Sequence, residues 1–247
     1  MVPMLLTYLG VPSHAGDLLY APWTLFTYMF THLEFFHLLI NLLWLFWFGS
    51  IFLNHFSERK LIGVYLLGGM GGAVLYTLLY TLYPVFTDGR TVGASASVMA
   101  IVFAVSTYLP NHRIQLFLFG SVKLIHLALF TVLIDIISLP SGNAGGHIAH
   151  LGGALFGYLF TLGIRANRDI TAWITYPLYA IKSLSSSKKT GTTYPKNASQ
   201  MSDREYNAHK KRQDVRMNEI LDKISKSGYA SLTKEEKELL FKSGKHN

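Results

Sequence analysis

Cysteine is absent from the 247 residues, so disulfides, thiolate metal sites and a cysteine nucleophile are excluded. Charge is scarce as well: Asp, Glu, Lys and Arg make up 15% of the chain against 50% hydrophobic residues, and mean hydropathy is +0.29. Soluble domains carry about 25% charged residues, so this composition implies a membrane protein with a soluble appendage. The scarcity is uneven. Residues 1–164 hold five Lys/Arg (59, 60, 90, 113, 123) and five Asp/Glu (17, 34, 58, 88, 135), so the whole formal excess of +8 lies from Arg165 onward. A basic tail beside a neutral apolar body implies contact with anionic membrane lipid and no nucleic acid. Lys and Arg are missing entirely from residues 1–33 and 140–146. A secretory leader is not read at the start either, because Met1 to Pro12 has no basic opening and too short an apolar core.

What is present is five apolar segments, roughly 34–53, 61–83, 95–109, 121–139 and 147–164. They predict an all-α polytopic membrane helix bundle of about five spans. Arg59, Lys60, Arg113, Lys123, Arg165 and Arg168 flank one side, and Arg90 alone stands on the other. Under the positive-inside rule the tail is cytoplasmic, and the first, third and fifth segments enter from outside. The expected location is a bacterial plasma membrane. The third segment is short: 15 residues cover about 22 Å of a ~30 Å hydrocarbon core, which sets Ser95 several Å below the outer surface.

Each inward-running segment carries polar groups in its opening turns: His37 and Asn41, then Ser95, then His147 and His150. Polar side chains from three parallel helices at one depth mark a functional candidate, because intramembrane polar groups are costly. His37 and Asn41 stand at i, i+4 on one face, either bonding across the bundle or aimed at a developing negative charge. His150, Gly153 and Gly157 form a stripe that admits close approach of a helix. The matching small face is Ala96, Ala100 and Ala104 beside Ser95, and two small faces meeting bring a nucleophile, Ser95, to its base, His150. The stretch His32-Leu-Glu-Phe-Phe-His37 looks superficially like a zinc protease motif. Its histidines stand at i, i+5, about 140° apart on a helix, so zinc is not expected. His147 and His150 alone are too few ligands, and no cofactor is expected. Asp135, in the middle of the fourth segment, reads as neutral or hydrogen-bonded inside the bundle and receives no catalytic role.

Trp23, His32 with His37-x-x-x-Asn41, Gly93-Ala94-Ser95, Ala149-His150-Leu151-Gly152-Gly153 and Gly157 together resemble the rhomboid family of intramembrane serine proteases, over roughly residues 18–165. The resemblance implies a Ser95–His150 dyad without a third acid, with His37, Asn41 and the Ser95 backbone N–H holding the oxyanion. It implies cleavage of transmembrane protein substrates near the outer surface. The alternative is a rhomboid-like protein without protease activity that binds client helices. Departures from the pattern are Thr24 where an arginine is frequent, Ala96 after the serine, and Met99 where an aromatic often stacks on the histidine. The family also has a further span before its first loop, for which this sequence shows no counterpart.

The expected domains are a membrane domain over 1–168, an interfacial segment and flexible linker over 169–203, and a cytoplasmic helical hairpin over 204–247. In the hairpin, Met217, Ile220, Leu221 and Ile224 follow a helical stripe, Gly228 stops it, and Thr233 to Glu236 forms a capping box for a second helix. Two such helices are marginal alone, so the hairpin either docks on a partner or another copy or stays solvated.

Overall fold

The computed structural model describes residues 2–83, 89–116, 120–140, 142–177, 216–224 and 228–244. It divides into two compact units, residues 1–188 and 189–247.

The larger unit is built on five apolar helices. Three are long enough to cross a bilayer: α4 (Phe35–Leu53), α5 (Glu58–Leu82) and α8 (Ala144–Arg165); α6 (Ser95–Tyr108) and α7 (Leu124–Ser138) are shorter. The short helices α1 (Val2–Leu9), α2 (Ala15–Tyr20) and α3 (Thr24–Thr27) precede them. The sheets are two-stranded only. Strand β1 (Val11–Pro12) pairs with β2 (Arg90–Thr91), and β3 (Arg113–Leu116) pairs antiparallel with β4 (Gly120–Lys123). Residues 121–123, placed by hydropathy in the fourth apolar segment, belong to β4, so α7 begins at Leu124.

The central helix is α6. All residues from Ala96 to Ser106 are buried, which a surface helix with one apolar stripe never shows. It is enclosed by α5 and α8, and the small residues explain how. A methyl added at Gly153 would lie 2.0 Å from the Ala96 carbonyl oxygen, and one at Gly157 2.1 Å from that of Ala100. On the α5 side, a methyl at Gly68 would lie 2.2 Å from Ala100 Cβ and one at Gly72 2.6 Å from Ala96 Cβ. Backbones therefore touch along this seam, and the gain is dispersion contact over a full helix length. By contrast, α4 and α7 sit at the periphery. Phe35, Phe36, Phe46 and Trp47 of α4 and Phe130, Leu133 and Ile137 of α7 are exposed, as lipid-facing side chains are.

The chain before α4 covers the end of the bundle where α6 begins. Trp23 Nε1 donates to the Tyr8 carbonyl (2.9 Å), Arg90 Nη1 to that of Gly10 (3.0 Å), and Thr77 Oγ1 to that of Pro12 (3.0 Å). Gly93 N donates to the Tyr28 carbonyl (2.9 Å), so the segment leading into Ser95 is tied to this cover. At the opposite, basic end, Asp169 receives Thr171 N and Oγ1 at 2.9 and 2.6 Å and lies 3.8 Å from Arg59 and 3.9 Å from Lys60.

In the smaller unit, a helix over 216–224 is followed by Gly228 at φ +75 and a helix over Lys234–Gly244. Glu236 N donates to Thr233 Oγ1 (3.2 Å) while Thr233 N donates to Glu236 Oε2 (2.7 Å), the reciprocal bonds of a capping box. Lys223 pairs with Glu236 at 2.9 Å, and Ile220 and Leu232 are buried. Of the interfacial segment and linker expected over 169–203, residues 178–203 lie outside the described residues.

Candidate active site

Ser95 is the first residue of α6, so its backbone N–H has no acceptor one turn back and points out of the helix start, as do the next two. The positive end of the helix dipole lies there as well, a setting that favours negative charge. Directly before it, Gly93 adopts φ +133, a conformation L side chains rarely adopt. A methyl at Gly93 would lie 2.7 Å from His37 Cε1 and 3.7 Å from Ser95 Oγ, so the imidazole and the hydroxyl converge on one point that only glycine leaves open.

Ser95 and His150 share the wall of one cavity of about 220 Å³, together with Asn41, Trp44, Met99 and Asp135. Serine and histidine reach the same space because the glycine seam brings α6 and α8 into backbone contact one turn below them. Gly153 therefore lies against Ala96 and Gly157 against Ala100. Ile40, Asn41 and Trp44 of α4 close the cavity on one side, and Thr131, Ile134 and Asp135 of α7 close it on the other.

His37 and Asn41 are not equivalent here. The Asn41 amide is buried and donates to the His37 carbonyl (2.9 Å), with His32 Nε2 at 3.3 Å. Ala94 N also donates to His32 Nε2, at 3.2 Å. His32, which the motif contains but to which no chemical role falls from spacing, thus ties α4 to the residue preceding the serine. An acceptor at Nε2 requires the neutral ring with its proton on Nδ1. Burial, and then the neighbouring His37, hold the His32 imidazole below its ordinary value of 6.5. As pH falls below 6.5 the unfolded chain takes up this proton before the folded one does. The stability contributed by neutral His32 is therefore present above that value and is lost progressively toward the lowered folded-state one. Thermal unfolding in detergent at pH 7.5 and 5.5 should show a smaller acid-induced drop for His32→Gln than for the parent. Parallel curves would remove His32 from this role.

The structure gives Asp135 a setting that hydropathy hides. Its carboxylate is buried, and Oδ1 receives both His147 Nδ1 (2.7 Å) and His150 Nδ1 (2.9 Å). An ionised Asp135 only accepts, so with that carboxylate each Nδ1 is a donor, and a neutral His150 ring then has its lone pair on Nε2. The trio supplies two imidazoles and a carboxylate, enough donors for a divalent cation. Donor atoms around one zinc at 2.0–2.1 Å stand about 3.3 Å apart, and these pairs are closer, at hydrogen-bond separation.

Two family models match the chain. The model of the rhomboid domain matches residues 20–167, and that of a family of unknown function, DUF6576, matches residues 201–245. The chain is 31% identical to RHOMBOID-like protein 12, mitochondrial, of Arabidopsis thaliana over 59% of its own length and 47% of that protein. It is 31% identical to the presenilin-associated rhomboid-like protein, mitochondrial, of Bos taurus over 58% of its length and 38% of that protein, with the same figures for the Homo sapiens protein. The chain therefore spans less than half the length of these curated relatives. All three are named mitochondrial, which overturns the expectation of a bacterial plasma membrane and the cytoplasmic side given to the tail with it. The membrane character itself rests on the apolar helices. With Asn41, Ser95 and His150 of the motif lining one cavity and the matching model covering more than half of its length, the chain belongs to the rhomboid family.

Proposed function

We propose that this rhomboid is an intramembrane serine endopeptidase that cuts transmembrane protein substrates close to one membrane surface. The supporting observation is the single cavity that Ser95 and His150 share at the start of α6, walled by α4 and α7. The Ser95 hydroxyl proton passes to His150 Nε2 while Oγ bonds to the substrate carbonyl carbon. The imidazolium then protonates the leaving amine as the C–N bond breaks, and water hydrolyses the ester by the reverse proton route. The Ser95 N–H faces the position of the oxyanion, with His37 beside it. Asn41 joins them by releasing His32 or the His37 carbonyl as charge develops. Because α6 has 14 residues, about 21 Å, the serine lies near enough to the surface for water to reach it.

The relatives' names favour a second reading at a coarser level. They record likeness to rhomboids and association with presenilin rather than a reaction. In that reading the same cavity receives a client helix without cutting it, in a mitochondrial membrane, and the hairpin after residue 203 serves a protein partner or a second copy. The two readings part on one measurement. The full chain reconstituted in vesicles with a single-span substrate carrying small residues near the membrane surface should release two fragments. Binding with no fragments would leave the second reading standing. On the protease reading, Asn41→Ala should lower turnover by roughly 10²–10³-fold, the usual cost of one oxyanion donor. Turnover within a few-fold of the parent would remove Asn41 from that set.

A further inference from the structure

We infer that Asp135 is a positioning residue for His150, completing a serine–histidine–aspartate arrangement in the site proposed above; the inference rests on that protease reading. Three observations carry it. Asp135 Oδ1 lies 2.9 Å from His150 Nδ1, and Asp135 is buried, 5% exposed. The position on α7 is specific as well. The buried residues of that helix are Leu124, Ala128 and Asp135, and Asp135 is the polar one of the three and lies at the Ser138 end, facing the cavity. Finally, His150 has little else to hold its ring. Among the described residues its ring neighbour is His147, edge-on at 5.9 Å, and a flexible thioether, Met99, shares the cavity wall.

The chemical consequence follows from the proton positions. A carboxylate at Nδ1 selects the tautomer with Nδ1 protonated and Nε2 bare, the only neutral form that can take the Ser95 proton. Once Nε2 is protonated the ring is a cation, and the buried anion 2.9 Å from Nδ1 stabilises it without itself changing protonation state. No group is oxidised or reduced, and the proton passes from Oγ to Nε2 to the leaving nitrogen. His147 donates to the same Oδ1 at 2.7 Å. It shares the anchoring of α7 on α8 but has no part in the proton path. That difference separates a positioning role from a clamp between helices.

The test measures initial rates of the full chain in vesicles on a transmembrane substrate. Asp135→Asn and Asp135→Ala should each lower kcat about 100-fold with KM within about 3-fold, since ground-state binding is untouched. Asp135→Glu should recover about ten-fold of that loss, and added formate should raise the Asp135→Ala rate, while His147→Ala keeps the parent rate within about 3-fold. Asp135→Asn is nearly isosteric and carries the comparison should Asp135→Ala not fold. A parent-like kcat for Asp135→Asn overturns the inference. So does an equal loss in His147→Ala with no response to formate, which would make the trio a clamp. A parent protein that neither cleaves nor takes a fluorophosphonate label at Ser95 overturns the protease reading, and the inference with it. That outcome is recognisable because the unmutated chain is then the silent one.

Discussion

Ser95→Ala should release no substrate fragments and take up no fluorophosphonate, while still binding the substrate it no longer cuts. The argument is local. In the proposed mechanism, bond formation requires an oxygen on the side chain at the start of α6; Thr107 and Tyr108 stand at its far end, and the other two serines are elsewhere. Ser97 is buried with its Oγ near the Met29 sulfur, and Ser106 is buried near the other end of the helix. Neither replaces Ser95, so the loss is complete. The fold should not suffer, because Ser95 is only partly buried and alanine is the better helix former. The informative measurement pairs labelling with substrate capture. An unlabelled parent that captures a client helix as well as Ser95→Ala does would support the binding reading and remove the protease one.

The second large effect is steric. Gly153→Leu should yield no active protein and little folded protein, whereas Gly71→Ala should fold and function as the parent does. At Gly153 even a methyl meets the Ala96 carbonyl oxygen at 2.0 Å, and a backbone oxygen in a buried helix cannot step aside. Leucine adds three further carbons, so α6 and α8 must separate by more than an overpacked core absorbs, where one or two extra methylenes already cost about 1–3 kcal/mol. Separation at that level also parts Ser95 from His150, so activity falls with stability. At Gly71 the same added methyl finds the Gly152 carbonyl oxygen and Phe156 Cβ at 3.5 Å, an ordinary contact. Alanine there gains up to about 1 kcal/mol of helix propensity. Melting temperature and cleavage rate of the two variants check the pair, and a functional Gly153→Leu would show that the seam is not the contact that assembles the site.

How much of this was legible beforehand follows from the physics of each signal. The bundle was readable because lipid imposes length and apolarity on every span, and those are properties of single segments. The packing of α8 on α6 was readable because backbone contact demands small residues on both partners, and the Gly153/Gly157 and Ala96/Ala100 stripes are complementary. Asp135 was not. A lone acid in Phe-Thr-Val-Leu-Ile-Asp has no periodic partner, and which residues it meets depends on the rotation of α7 about its axis, which composition does not encode. The commitment of the Asn41 amide to His32 and to the His37 carbonyl was hidden for a related reason. An i, i+4 pair shows a shared face but not which atom of an amide points where. The two-residue pairing of Val11–Pro12 with Arg90–Thr91 is too short to leave any alternation.

The seam along α5, α6 and α8 also divides the molecule into parts that tolerate change differently. Helices locked backbone to backbone hold Ser95 and His150 on one inelastic block. The lining contributed by Ile40, Trp44, Thr131 and Ile134 belongs to the two outer helices, whose grip on that block is looser. On the protease reading, recognition can therefore be retuned by repainting those four positions, generation after generation or at the bench, without recalibrating the distance over which a proton must hop.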